Sequence, residues 1–200
     1  MILKALYDYY NRCGNLPAFG MEEKEIGFVI VISKEGKFVR FEDCRLDSKQ
    51  ARTYLVKKHV GRSSAIVANY LYDNSSYVLG YAENEKTKKD VEEQTKKRSD
   101  KENACLEAFK EKVDSIYKVY PENNDLAAIC KFYQQSKEEI LACISQDSLW
   151  EEIKKNLSKK YSTFSFRIDG DLKIVAEKKE ILQLEYSEDC LLYTSPSPRD

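Results

Sequence analysis

Between Ser48 and Tyr72 the chain carries Lys49, Arg52, Lys57, Lys58 and Arg62 and not one Asp or Glu. The whole chain has a formal net charge of -1, so this excess of cations is a local feature. The dense part of the window runs on to Gly80 and reads KKHVGRSSAIVANYLYDNSSYVLG from Lys57. It sets Ser63, Ser64, Asn69 and Asn74 beside cations and the unhindered Gly61. Lys and Arg neutralise phosphates, and in protein–DNA contacts the phosphates position while base edges specify. Ser hydroxyls and backbone N–H groups cap a helix start or hold an anion there. An Asn amide donates to and accepts from one base edge at once. The chemistry these types support together is contact with a nucleic-acid backbone and its bases. A plainer reading accounts for the same residues. Arg62-Ser63-Ser64 ahead of Ala65-Ile66-Val67 is also an ordinary helix or turn start. Asn69 and Asp73-Asn74 are also common turn formers, and a basic window is often a solvated face. Tyr70 and Tyr72 have two roles open to them, stacking on bases or packing in the core, and core packing is favoured here.

Other chemistry is absent. The chain has no nucleophile elbow, P-loop, dinucleotide fingerprint or H-E-x-x-H. Asp169-Gly170-Asp171 lacks the further oxygen ligands of a calcium loop and reads as a hairpin tip. Glu22-Glu23 and Glu138-Glu139 fall in charged helical or loop contexts, without the apolar setting that retunes a carboxylate for acid–base work. His59 is the single histidine, which argues against a His-based metal site or triad. Cys13, Cys44, Cys105, Cys130, Cys143 and Cys190 are scattered with no C-x-x-C pair, as expected of reduced thiols in a cytosolic chain. The expectation is a non-enzyme without cofactor or metal. The apolar run Ile26 to Ile32 is far too short to span a bilayer, and the Met1-Ile2-Leu3-Lys4 start lacks a signal-peptide pattern, so a cytoplasmic location is expected.

The elements that would carry the basic window read as an α+β chain. Ile2, Leu3, Leu6, Tyr9, Tyr10 and Cys13 recur at helical spacing, predicting a helix over 2–13, closed by Gly14-Asn15 and a loop through Pro17 to Gly20. Ile26 to Ser33 and Phe38 to Glu42, broken at Glu35-Gly36, predict a β-hairpin over about 26–44. Thr53 to Val56 adds a short strand, and Tyr77 to Gly80 reads as a strand or buried turn. Glu83 to Lys101 is nearly all charged or small polar, and is expected to be a mobile insertion or a solvated helix end. Lys96-Lys97-Arg98, ringed by acids, reads there as a solvated face. Three capping-box spacings, Ser99/Glu102, Ser136/Glu139 and Ser148/Glu151, head helical patterns over 102–161, and Pro121 stops the first helix. Trp150 falls in the last helix's first turn, where a large ring packs on a neighbour. Thr163 to Ile168, the Asp169-Gly170 turn and Leu172 to Ala176 predict a second hairpin. The expected architecture is α+β with segregated elements. It comprises an N-terminal region over 1–82, the charged insertion over 83–101, a helical segment over 102–161 and a hairpin region over 162–189.

Two stretches together carry a resemblance: the opening MILKALYDYY and the run RSSAIVANYLYDNSSYVLG, with a Pro-containing loop and an apolar hairpin between them. The chain resembles the N-terminal region of the large subunit of the subtype I-C CRISPR surveillance complex (Cascade), over residues 1 to about 190 and most weakly over 83–100. The resemblance implies a non-catalytic subunit that helps recognise the protospacer-adjacent motif in target duplex DNA and supports strand opening. It would work beside guide RNA and other Cascade subunits, and present the complex to a separate helicase-nuclease. It implies Lys57, Lys58 and Arg62 on phosphates, Ser63 and Ser64 seating the backbone, and Asn69 and Asn74 near the motif base pairs. The alternative is a scaffold that docks other subunits and guide RNA without reading DNA. The final eleven residues, CLLYTSPSPRD, match what a sequencing adapter encodes, although Cys190 and Leu191 also suit the family. The tail over 190–200 is therefore expected to be non-native, and the chain an N-terminal fragment.

Overall fold

Phe28-Val29-Ile30-Val31-Ile32 has an aromatic or aliphatic side chain at every position, and all five are fully buried. A strand of that kind must be covered on both faces. A computed structural model of the chain describes residues 4–5, 9, 17, 20–62, 65–82, 91–159 and 161–183, with side chains of 91–96 left aside. Its strands are β1 (Met21–Glu25), β2 (Phe28–Ile32), β3 (Phe38–Asp43), β4 (Thr53–Lys57), β5 (Tyr72–Asn74) and β6 (Thr163–Ile168). Its helices are α1 (Ser75–Val78), α2 (Val91–Val119), α3 (Asn124–Phe132), α4 (Lys137–Ile144), α5 (Trp150–Lys154) and α6 (Lys179–Leu182), with a 3-10 turn at Val175–Glu177. The fold is α+β.

The predicted hairpin forms between β2 and β3, turning at Gly36, whose φ of 77° suits glycine. A Cβ at Gly36 would also lie 2.6 Å from the Phe132 backbone nitrogen, so the turn is pressed onto α3. β6 then runs parallel to β2 and antiparallel to β5, giving the order β3-β2-β6-β5. Strand β4 pairs with β1 in a separate two-stranded ribbon. Glu22-Glu23 therefore lies in a strand, not in the helical or loop setting expected. One sheet face carries Phe28, Phe41, Phe164 and Phe166. There Phe41 stacks on Trp150 at 6.0 Å, and Phe166 meets Phe109, Phe132 and Tyr133 of α2 and the α3 end. The 3-10 turn with buried Val175 packs against β6 and bridges to β4.

The second hairpin does not form. β6 already has β2 on one edge and β5 on the other, so no edge remains for a returning strand. The chain after Gly170 instead tucks Ile174, Val175 and Ala176 into the core, and Lys178 ties it down between Asp125 (2.6 Å) and Asp171. This weaving also joins the expected 1–82 and 162–189 regions in one sheet.

Of the three predicted capping boxes one is made. Ser136 and Glu139 exchange side-chain and backbone bonds at the start of α4. Ser99 lies inside α2, which starts upstream at Val91, so residues 91–101 are helical. Over 97–101 the charged run is a largely solvated helix end, with Arg98 paired to Glu102 at 3.4 Å. At α5 the cap is Leu149, and it is Asp147 that accepts from the Leu149 N–H (2.8 Å) and from Phe41 (2.9 Å). Tyr77 to Gly80 belongs to α1 and its turn, not to a strand. Cys44, Cys105, Cys130 and Cys143 are free thiols. The expected 2–13 helix, Ser63 and Ser64, Cys13, Cys190 and the 190–200 tail fall outside the described residues. Among the described residues no helix is long and apolar enough to cross a membrane.

Candidate nucleic-acid interface

The basic window leaves β4 at Lys57 and enters the four-stranded sheet at β5, and the described residues between them, 58–62 and 65–71, form a loop without helix or strand. Asp73 holds that loop. It is 2% exposed, and each of its oxygens takes two donors. Oδ1 accepts from Arg62 Nη1 (3.0 Å) and the Asn74 N–H (2.9 Å). Oδ2 accepts from Arg62 Nη2 and the Asn69 N–H (3.0 Å). Arg62 is pinned further by its Nε–H donating to the Val67 carbonyl at 2.6 Å and by lying 4.0 Å over the Tyr77 ring. Burial pulls the Arg62 pKa down, but the bonds to Asp73 outweigh it and the net shift is upward. Leu71, fully buried at a φ of 61°, is the one described non-glycine residue in the left-handed region; a buried Ser165 hydroxyl bonds its carbonyl at 2.9 Å. Such strain, about 1–3 kcal/mol, persists only where surrounding contacts over-determine it.

The structure redistributes the predicted roles. Lys57 is 1% exposed, with its ammonium 5.1 Å from the centre of the Tyr70 ring, so it is a core residue and not a phosphate contact. Lys112 of α2 approaches the same ring at 4.6 Å, and Tyr70 is thereby committed to packing. Tyr72 is fully buried, its hydroxyl bonded to the Lys57 carbonyl and to Glu22. Arg62 is masked by Asp73 and acts first as a brace. Asn69 is 9% exposed, and its Oδ1 accepts from the Val60 N–H at 3.0 Å. Asn74 caps α1, its Oδ1 accepting from Ser76 at 3.1 Å. With each amide oxygen turned onto a local backbone N–H, neither Asn is set to present the paired donor and acceptor that reads adenine, and the NH2 is the group each directs elsewhere. Lys58 is exposed, and its side chain meets no described carboxylate. Arg62 aside, the window's exposed cation at this loop is therefore Lys58.

Beside the loop lies an open cleft of about 690 Å³, whose wall includes Arg62, Asn69, Asp73 and Asn74. The cleft is also lined by His59, by Lys24 of β1, and by Lys159, Ser162 and Thr163 at the entry to β6. His59 spends Nδ1 on Glu22 Oε2 at 2.7 Å. Burial raises the Glu22 pKa, yet hydrogen bonds from His59 and Tyr72 outweigh it and hold the carboxyl below its ordinary value. Asp73, the acid that lines the cleft, is saturated, and Glu22 beside it is engaged by His59 and Tyr72.

The amino-acid sequence of this chain is matched by a family model for CRISPR-associated proteins. The match spans residues 6–193, and the chain belongs to that family, CRISPR-associated protein (Cas_Csd1), the large-subunit family of the type I-C system. A comparison with curated proteins returns no match.

Proposed function

We propose that this chain acts as a non-catalytic part of the type I-C surveillance complex, helping to recognise the protospacer-adjacent motif and open the target duplex. Guide RNA and the other subunits would supply sequence pairing and assembly, and a separate helicase-nuclease the cleavage. The observation that carries this reading is the saturation of Asp73. It ties Arg62 and the Asn69 and Asn74 backbone to one buried carboxylate, whose charge Arg62 compensates. Lys58, exposed next to His59, suits a phosphate. The amide NH2 groups of Asn69 and Asn74 suit the acceptors that a minor groove offers at every base pair, a degenerate and shape-sensitive readout. Of the expected contacts, Lys58, Asn69 and Asn74 stay in the proposal with Ser63 and Ser64; Arg62 enters as the brace, and Lys57 leaves it.

Gly61 gives the test, since a Cβ there meets nothing within 4 Å. A photo-crosslinking residue at position 61 in the assembled complex, with guide and target strands labelled separately, is expected to capture target duplex next to the motif. Capture of guide RNA or a neighbouring subunit alone would overturn the reading in favour of a scaffold role.

A further inference from the structure

Two cations that line the cleft, Lys24 and Lys159, lie outside the basic window of the sequence. Lys24 stands between Glu23 and Glu25 in β1, where alternation along the strand turns it to the opposite side from both. Lys159 lies in the turn after α5, more than 130 residues on in sequence. Neither ammonium reaches a described carboxylate within ion-pair distance, and Lys159 is exposed. The loop supplies Asn69 Nδ2 and Asn74 Nδ2. Apart from His59, the uncommitted side-chain nitrogens of the cleft are thus all donors. The aromatic rings nearby offer no platform: Tyr72 is fully buried, and Tyr70 has lysines against it. A cleft with donors and cations but no free ring face suits phosphate oxygens rather than stacked bases. The neighbouring hollow of about 430 Å³ behind Arg62 differs, because Ala65 and Ile66 line it and its Arg98 is paired with Glu102.

We infer that the cleft seats the phosphodiester backbone of a nucleic-acid strand, with Lys24 and Lys159 as phosphate contacts. This deepens the proposed function and rests on it for the source of the strand, but the phosphodiester chemistry stands apart from it. Contact of this kind carries no sequence information. It sets register while the loop meets the base pairs.

The test uses the assembled complex with Lys24→Gln and Lys159→Gln together, titrated against motif-bearing and motif-free duplexes across salt. Two lost phosphate contacts make the salt dependence shallower by about 1.8 log units per log unit of salt. The wild type should then lose about twelvefold more affinity than the variant between 50 and 200 mM salt, equally for both duplexes. The Lys→Arg pair should keep the wild-type slope. An unchanged slope in the Gln pair, or a loss confined to the motif duplex, overturns the inference. If the Gln pair does not assemble, the exposed Lys159→Gln alone carries the test, with a change of about 0.9. A photo-crosslinker at position 159 identifies the strand. Capture of target DNA supports both readings; capture of guide RNA keeps the phosphodiester seat and sinks the DNA role; capture of protein alone overturns the inference. An unchanged slope with target DNA still captured at position 61 removes the phosphate seat and leaves the proposed function standing.

Discussion

Removing the Arg62 side chain separates a brace from a DNA contact. Arg62→Ala leaves Asp73, 2% exposed, with two backbone donors in place of four. Breaking a buried pair by deleting one partner costs about 3–5 kcal/mol. The Arg62 side chain is itself 26% exposed, so the pair is partly solvated and the low end, about 3 kcal/mol, applies. At this chain length 1 kcal/mol shifts the melting temperature by about 2–4 °C, so a fall of about 6–12 °C is expected. Amide exchange should quicken across 60–71, where Val60 and Asn69 donate into the same network. Adding Asp73→Ala removes the orphaned charge, and the double variant should recover part of the loss, as coupled neighbours do. Thermal unfolding with hydrogen exchange is the assay. If Arg62→Ala melts within 2 °C of wild type while duplex binding becomes less salt-dependent, Arg62 is a phosphate contact and the bracing argument is refuted.

Further outcomes test the frame around the loop. Glu22 has its pKa held down in the folded state, so its contribution is present above the ordinary carboxylate value of 4.5 and is lost as pH falls through the lower folded value. The stability gap between wild type and Glu22→Gln should accordingly be open at pH 7 and close under acid, as read by denaturant titration; a gap that widens in acid would contradict it. Gly27→Ala would put a Cβ 2.3 Å from the Tyr161 carbonyl oxygen, backbone against backbone, so loss of soluble folded protein is expected, and near-wild-type melting would show that this approach yields. Ser136→Ala removes the one made capping box at a cost of about 1 kcal/mol, seen as a drop of about 2–4 °C in melting temperature; no change would mean α4 is held by packing alone.

The parts legible in the sequence were those settled by near neighbours. The β2–β3 hairpin, the Ser136 box and the helix stop before Pro121 each depend on a few adjacent residues. The pairing of β6 with β2 depends on residues about 130 apart, and Thr163 to Ile168 alternates as a one-sided strand would. Ser165 breaks that reading, since it is fully buried with its hydroxyl spent on Leu71. The basic window was visible as charge, but its acid-free span closes at Tyr72, and the residue that claims Arg62 is the next one, Asp73. Alternation along β4 puts Lys57 outward with Thr53 and Leu55, yet the returning loop lays Tyr70 against it. Lys24 gave no local signal between two glutamates. The pair Lys159-Lys160 ahead of Tyr161 is a local run of charge of the kind that marks the window, but too short to stand out from the charged helices before it.

The late position of β6 in the chain has a consequence during synthesis. Its two neighbours, β2 and β5, leave the ribosome first, and about 90 residues separate β5 from the strand that fills the gap between them. At about 5–20 residues per second, the nascent chain holds two open strand edges, one of them on the wholly apolar β2, for roughly 5–20 s. Premature termination anywhere before Ile168 makes that exposure permanent, and such products are expected in inclusion bodies or bound to chaperones.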